Sequence, residues 1–364
     1  MVSSDFNFWN NKNVLITGHT GFKGSWLSLL LNRLGANIYG LSLPLSPANR
    51  LFNDLNLQRL IYKSFSSCIT NSNLVEECVL SVKPDIIFHL AAQPLVRESY
   101  LNPLQTFLVN TQGTANILDA SRRLNKNCSI VVITTDKVYK NTEKDYSFRE
   151  DDPLGGYDPY SASKAAAELI ISSYIDSFSY LSTSAYASSI RIASARSGNV
   201  VGGGDWADNR ILPDVIRSLD SGLPIHVRNP MATRPWQHVL EPLDGYLTLA
   251  KSLYLSSSRL DIEKYSQSFN FSPLVFSNRT VEDLLLEVFK IWPGTFEVIE
   301  DPEYLHEAQK LSLQSDKAYK VLGWSPRWSF ETTIERTVTW YRNYLTRTSS
   351  PLDSCLSDIE FFYS

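Results

Sequence analysis

NVLITGHTGFKG, residues 13–24, decides how the rest of the chain is read. A short apolar strand runs into a turn with glycines at 18, 21 and 24. The next residues, SWLSLLLNR (25–33), have helical apolar spacing and are closed by Gly35. Glycines at such places permit a tight turn and let backbone approach an anion. The amides and dipole of the helix N-terminus then stabilise that anion. A glycine triplet alone is often only a loop, but a strand before it and a helix after it point to a nucleotide diphosphate. Gly18, Thr20, Gly21, Phe22, Lys23 and Gly24 are therefore the candidate cofactor turn.

Outward from this turn the same rhythm repeats. NIYGL (37–41), DIIFHL (85–90) and IVVIT (130–134) read as strands, with helical patterns over 73–81 and between 103 and 125. Each strand is apolar throughout rather than at every second residue, which is the pattern of a parallel sheet covered on both faces. Helix-length connections imply right-handed crossovers, so the expected fold is α/β with a doubly wound parallel sheet. Beyond about Arg191 the order becomes irregular. Short strands at 225–228 and 296–299, a helix on VEDLLLEVFKI (281–291) and a final helix at 330–344 suggest a smaller, partly interleaved α+β domain. The expected division is 1–195 with a return segment at about 236–274, then 196–235 with 275–346, then a tail at 347–364. From Ser349 the tail shows no clear periodicity. It reads either as disordered or as docked through Phe361, Phe362 and Tyr363.

Composition narrows the function. The 34 basic and 38 acidic residues give a net charge of −4, which argues against a nucleic-acid or membrane-surface partner. Four scattered cysteines without a CxxC pair argue against a metal site or a disulfide scaffold and fit a reducing cytoplasm. No leader-like basic or apolar segment opens the sequence, and no apolar run reaches the roughly 18 residues of a membrane span.

Two clusters carry chemistry. YSASK (160–164) opens a helical pattern that runs to about Ser179, and a spacing of four puts Tyr160 and Lys164 on one face, one turn apart. A neighbouring ammonium favours the phenolate, which then accepts a proton. Thr135-Asp136-Lys137 follows the strand at 130–134, where open α/β sheets bind their ligands. A plain reductase needs only the hydroxyl there; an added acid and amine suit a second reaction in which water leaves.

The glycine turn joined to YxxxK resembles the extended short-chain dehydrogenase/reductases, whose sheet is of the Rossmann type. TDKVY (135–139), LGGYDPYS (154–161), GNVVGGGDW (198–206) and RNPMATRPWQH (228–238) narrow the resemblance to the CDP-glucose 4,6-dehydratase group over about residues 8–345. HLAAQPLVR (89–97) and NTQGT (110–114) fit as well. The resemblance implies NAD as cofactor, with Leu90, Ala91, Ala92, Asn110, Tyr160 and Lys164 completing its site. It implies a CDP-glucose substrate touched by Gln93, Asn199, Arg210 and Arg234, a homodimer or higher homo-oligomer, and a place in deoxysugar and O-antigen biosynthesis. Arg234, flanked by Thr233 and Pro235, is the first candidate for the diphosphate and Arg210 the second.

In the implied reaction Tyr160 takes the 4-hydroxyl proton as hydride passes to NAD. Lys137 removes the proton on carbon 5, Asp136 protonates the leaving 6-hydroxyl, and hydride returns to carbon 6. Thr135 bonds the 4-oxygen. Epimerases need no such acid and base. Several positions depart from the group's pattern, among them Lys144-Asp145, where an aromatic is common, and the added tail after Ser349. No carboxylate ends the second strand to hold the ribose, where Ser42 is the nearest substitute. Cys68-Ile69 stands where an aspartate usually holds adenine, and Tyr157 replaces a histidine. His89 and His238 read as structural, while Trp206 and Trp236 suit base stacking and core packing equally.

Overall fold

β1 (Asn13–Thr17) runs through the middle of a seven-stranded parallel sheet, with Val14, Leu15 and Ile16 fully buried. The computed structural model describes residues 7–183, 185–273, 278–299 and 310–364. After β1 come α1 (Phe22–Arg33), β2 (Asn37–Ser42), β3 (Ile61–Ser66), α2 (Ser72–Val82) and β4 (Ile86–His89). Then follow α3 (Gly113–Arg122), β5 (Cys128–Ile133), α4 (Pro159–Phe178), β6 (Ile190–Arg196), α5 (Leu240–Leu255) and β7 (Ser268–Asn270). The strand order is β3-β2-β1-β4-β5-β6-β7, all parallel. Strand order reverses between β1 and β4, so a crevice opens at their carboxyl ends, the place where doubly wound sheets bind ligands.

Alternation along each strand serves two cores. Val14 and Ile16 face a cluster with Trp26, Tyr246, Phe269 and Trp340, while Leu15 faces one with Val75, Ile87 and Ile117. A third cluster lies off the sheet, where Leu212, Val215 and Ile225 meet Leu284, Val288 and Ile334. Its short strand pairs are Ile225–Val227 with Phe296–Val298 and Thr233–Arg234 with Arg279–Thr280. α6 (Phe330–Thr346) joins the parts: Phe330, Ile334 and Val338 enter the third cluster, and Trp340 and Tyr341 enter the first.

The structure refines several expectations. α1 begins at Phe22 rather than residue 25, because Gly21 is its N-cap. The helical stretch expected between 103 and 125 is broken by a wide π-turn at Leu108–Gln112. The tail is docked, not disordered. It forms α7 (Pro351–Tyr363), capped by Ser350, whose hydroxyl accepts from the Asp353 amide at 3.0 Å. Cys355, Ile359 and Phe362 are buried, and Phe362 meets the edge of Trp328. Arg336 of α6 pairs with Asp358 at 2.6 Å. Among the described residues no helix is long and apolar enough to cross a membrane.

Candidate active site

The glycine turn is built as its sequence requires. Gly18 has φ +73°, and a Cβ there would stand 2.9 Å from the Ala91 amide nitrogen. A Cβ on Gly24 would lie 2.2 Å from the Gly18 carbonyl oxygen, so only glycine lets α1 approach its own turn. Gly21 offers α1 no side-chain cap, and no acidic residue stands in its first turn. An anion therefore meets open amides and no like charge. Thr20 is tied to the Asn49 amide at 3.3 Å. Thr17 links the two strand ends, accepting from the Leu90 amide at its carbonyl and from the Ala91 amide at its hydroxyl. Lys23 reaches past the turn, and its Nζ donates to Ser197 Oγ at 3.2 Å. Burial, then Arg210, lowers its ammonium to about 7.

The carboxyl end of β5 delivers the second group. Asp136 is fully buried, and its Oδ1 accepts from Thr135 Oγ1 at 3.0 Å and from Lys137 Nζ at 3.1 Å. Asn199 Nδ2 donates to the other oxygen at 3.2 Å. Tyr160 and Lys164 come from the first turns of α4, which starts at Pro159 behind an Asp158 cap. Tyr160 is hydrogen-bonded to Thr135, but burial pushes its phenol up to about 12. Burial also lowers Lys164 to about 8, against the opposing field of Glu168, and its Nζ donates to the Ile133 carbonyl at 3.1 Å. Thr135, Asp136, Lys137, Tyr160 and Lys164 thus gather in one place beside the turn. Asn110 sits in the π-turn, a feature common at functional sites. Its side chain bonds Gln93 N at 2.8 Å, Gln93 O at 3.1 Å and Ser163 Oγ at 2.9 Å, joining the β4 loop to α4.

Beneath this cluster lies a polar network that the sequence reading missed. Glu168, one turn beyond Lys164, accepts from Arg196 Nη2 at 2.8 Å and Nε at 3.0 Å, from Ser194 Oγ at 2.8 Å, and from Thr134 Oγ1. Burial alone would raise its carboxyl; Arg196, Thr134 and Ser194 outweigh that and hold it low. Arg196 also donates to Tyr139 Oη at 2.8 Å. The signal lay in AAAELII (165–171), where one charge interrupts an apolar face in phase with Tyr160 and Lys164. Glu168→Ala leaves Arg196 buried and unpaired, so a loss of about 3–5 kcal/mol in unfolding free energy is expected. Chemical denaturation checks it, and Glu168→Leu with Arg196→Met should recover much of the loss.

Of the remaining candidates, Arg210 stands near enough to Tyr160 and Lys23 for its charge to act on both. Arg234 lies on the strand paired with Arg279–Thr280, and its Nη1 donates to the Thr233 carbonyl at 3.0 Å. Arg210 pairs with Asp205 at 2.8 Å. Gln93 spends its side chain on its own loop, with Nε2 on Leu95 O and Thr106 Oγ1 and Oε1 accepting from the Leu95 amide. Trp206 carries the Arg50 guanidinium 3.7 Å over its ring and Tyr341 at its edge, while Trp236 is buried and bonded to Arg279 O. Both tryptophans are thus packed by protein side chains. His89 is held between Thr17 Oγ1 at 2.7 Å and Thr114 Oγ1 at 3.2 Å, and His238 is buried between Trp26 and Trp328.

A glycine turn, a YxxxK helix and a Thr-Asp-Lys strand end in this arrangement meet a family model described as GDP-mannose 4,6 dehydratase, which matches residues 15–337. The chain belongs to that family. Within it, the chain is 41% identical over 342 residues to a CDP-glucose 4,6-dehydratase of Salmonella typhimurium, covering 94% of this chain and 93% of the relative. A bovine dTDP-D-glucose 4,6-dehydratase is 26% identical, with 91% and 89% covered. Among solved structures, a UDP-glucose 4-epimerase of Thermotoga maritima aligns with TM-score 0.76 and 20% identity, over 91% of this chain and 99% of that one. A dTDP-glucose 4,6-dehydratase of Bacillus anthracis in complex with NAD aligns with TM-score 0.72 and 20% identity, over 91% and 96%. At such identities the solved structures speak for the fold alone.

Proposed function

We propose that this protein removes water from CDP-glucose to give CDP-4-keto-6-deoxyglucose, using NAD in an internal redox cycle. The observation that carries this reading is Asp136, buried and shared between Thr135 and Lys137 beside Tyr160. An acid and an amine at that place serve elimination, which an epimerase does not perform. The likeness to the Salmonella enzyme supports CDP-glucose as the substrate. The test is incubation with NAD and CDP-, dTDP-, UDP- and GDP-glucose, following 4-keto-6-deoxy product. A preference for another nucleotide, or no keto product at all, would overturn the reading.

The residues fit NAD: the uncapped amides of the Gly18–Gly24 turn would hold its pyrophosphate, Lys164 would hold its nicotinamide ribose, and Asn110, bonded to Gln93 and Ser163, would shape the site around it. When bound, NAD accepts the hydride of carbon 4 and returns it to carbon 6. Tyr160 Oη takes the 4-hydroxyl proton, with the Lys164 ammonium favouring the phenolate. Thr135 Oγ1 donates to the 4-oxygen. Once carbon 4 is a ketone, Lys137 Nζ removes the acidified proton from carbon 5, and Asp136 gives its proton to the departing 6-oxygen, so water leaves. Lys137 returns a proton to carbon 5 as hydride reaches carbon 6, and the proton held by Tyr160 replaces, through Thr135, the one Asp136 gave up.

The adenosine end is held less firmly. Ser42 already donates to the Leu43 carbonyl at 3.0 Å, and Cys68 Sγ accepts from Thr70 rather than offering a carboxylate. Purified protein is therefore expected to be partly free of NAD and to be stimulated by added NAD. Full occupancy as isolated, without stimulation, would contradict this.

Arg234 is assigned to the diphosphate, with Arg210 in support. That contact exists in ground and transition states alike, so Arg234→Ala should raise KM and leave kcat nearly unchanged. About 2 kcal/mol or more is expected for a desolvated charge contact. An unchanged KM in a folded variant would make Arg234 structural.

A homodimer is also part of the proposal. Leu101, Leu104 and Leu108 on the segments packed against α4 are 75%, 85% and 46% exposed, and Leu169 on α4 is 63% exposed, an apolar face that a second copy would cover.

A further inference from the structure

Resemblance assigns Asn199 to the substrate, but its amide is engaged with Asp136. The two oxygens of Asp136 have different surroundings. Oδ1 is shared by Thr135 Oγ1 and Lys137 Nζ, the groups that handle the 4-oxygen and the carbon-5 proton. Oδ2 faces away, into a corner made by Gly198 and Asn199 just beyond β6. A Cβ on Gly198 would stand 1.7 Å from Oδ2 and 2.0 Å from Cγ, so the carboxyl group rests against bare backbone.

The corner is held rigidly. Asn199 has φ +49°, a left-handed conformation that asparagine tolerates better than most residues, and this bend turns its side chain back toward Asp136. Gln237 Nε2 donates to Gly198 O at 3.2 Å and to Phe271 O at 3.0 Å, while the Gln237 amide donates to Asn199 O at 3.3 Å. Val200–Val201 then pairs in parallel with Gln237–His238. The corner is therefore fastened to the main sheet, where β7 ends, and does not drift with its own loop.

From this geometry we propose that Asn199 is a positioning residue for the dehydration step, seating Asp136 through Oδ2 so that Oδ1 faces the reacting carbons. The proposal rests on the assignment of Asp136 as the acid. An amide suits a residue that must gain and lose a proton. It donates through Nδ2 to Oδ2 both in the carboxylate and in the acid, and so keeps the acid proton on Oδ1, the oxygen that faces the reacting carbons. Gly198 supplies the space and Asn199 the orientation.

The decisive variant is Asn199→Gly, which keeps the left-handed backbone and removes only the amide. With CDP-glucose and NAD present, NADH absorbance should accumulate on the protein, and product formation should slow on the order of tenfold to a hundredfold, the worth of one hydrogen bond to a charged group. KM should change little. A raised KM with no NADH accumulation would place Asn199 on the substrate and overturn the proposal, as would wild-type behaviour. Gly198→Ala, checked for folding by circular dichroism, should give the same accumulation because it displaces the carboxyl group; a folded Gly198→Ala protein without it would also overturn the proposal. Asp136→Asn run in parallel separates the two ideas. If it accumulates NADH and Asn199→Gly does not, the positioning role alone fails. If Asp136→Asn accumulates none, the acid assignment fails and takes the positioning role with it.

Discussion

Tyr160→Phe is expected to abolish both NADH formation and keto-deoxy product, because without the phenolate the 4-hydroxyl never loses its proton. The variant keeps the ring in its buried place and removes only the oxygen that meets Thr135. Loss of a general base costs roughly 10²–10⁴-fold, so single-turnover NADH absorbance should fall by at least that range. Burial holds the phenol near 12, so below that value the phenolate is the minor form. In the wild-type protein the first hydride transfer should therefore rise with pH as the phenolate population grows. Near-normal NAD reduction by Tyr160→Phe would mean that another group takes the proton.

Asp136→Asn should separate the two halves of the reaction. Asparagine matches the carboxylate in size and still reaches Thr135 and Asn199, but it has no proton to give the 6-oxygen. Elimination is expected to slow by roughly 10²–10⁴-fold, whereas oxidation at carbon 4 survives. Bound NADH should then accumulate with CDP-glucose while product does not, the opposite of the Tyr160→Phe result. Because Asp136 is fully buried, folding of the variant is checked first by its thermal midpoint. Dehydration at the wild-type rate would remove Asp136 from the acid role.

Local order along the chain was enough to place the sheet. The strands β1, β2, β4 and β5 are apolar on both faces because helices cover both, and that burial is visible as uninterrupted runs. β3 and β6 are harder to read. β3, IYKSFS, is an edge strand with mostly exposed side chains, and β6, IRIASAR, buries two arginines. In both cases partners distant in sequence supply what the local pattern lacks. The tail shows the same limit: Cys355, Ile359 and Phe362 do fall on one helical face, but only the docking surface around Trp328 and Arg336 makes that face a stable one.

The sequence by itself determined the glycine turn, the Tyr160–Lys164 pair and the Thr135-Asp136-Lys137 strand end, because each is a contiguous motif whose chemistry depends on residue type and short spacing. Only the tertiary structure decided how those motifs are supported. Glu168 meets Arg196 across 28 positions and Asp136 meets Asn199 across 63, and Gln237 fastens Gly198 from 39 residues away. Such contacts leave no periodic trace, since chain closure over dozens of residues is set by packing of the whole sheet and not by any local preference. Packing likewise set the surroundings of Trp206: Arg50 covers its ring, in a cluster with Tyr341 and Tyr344 of α6.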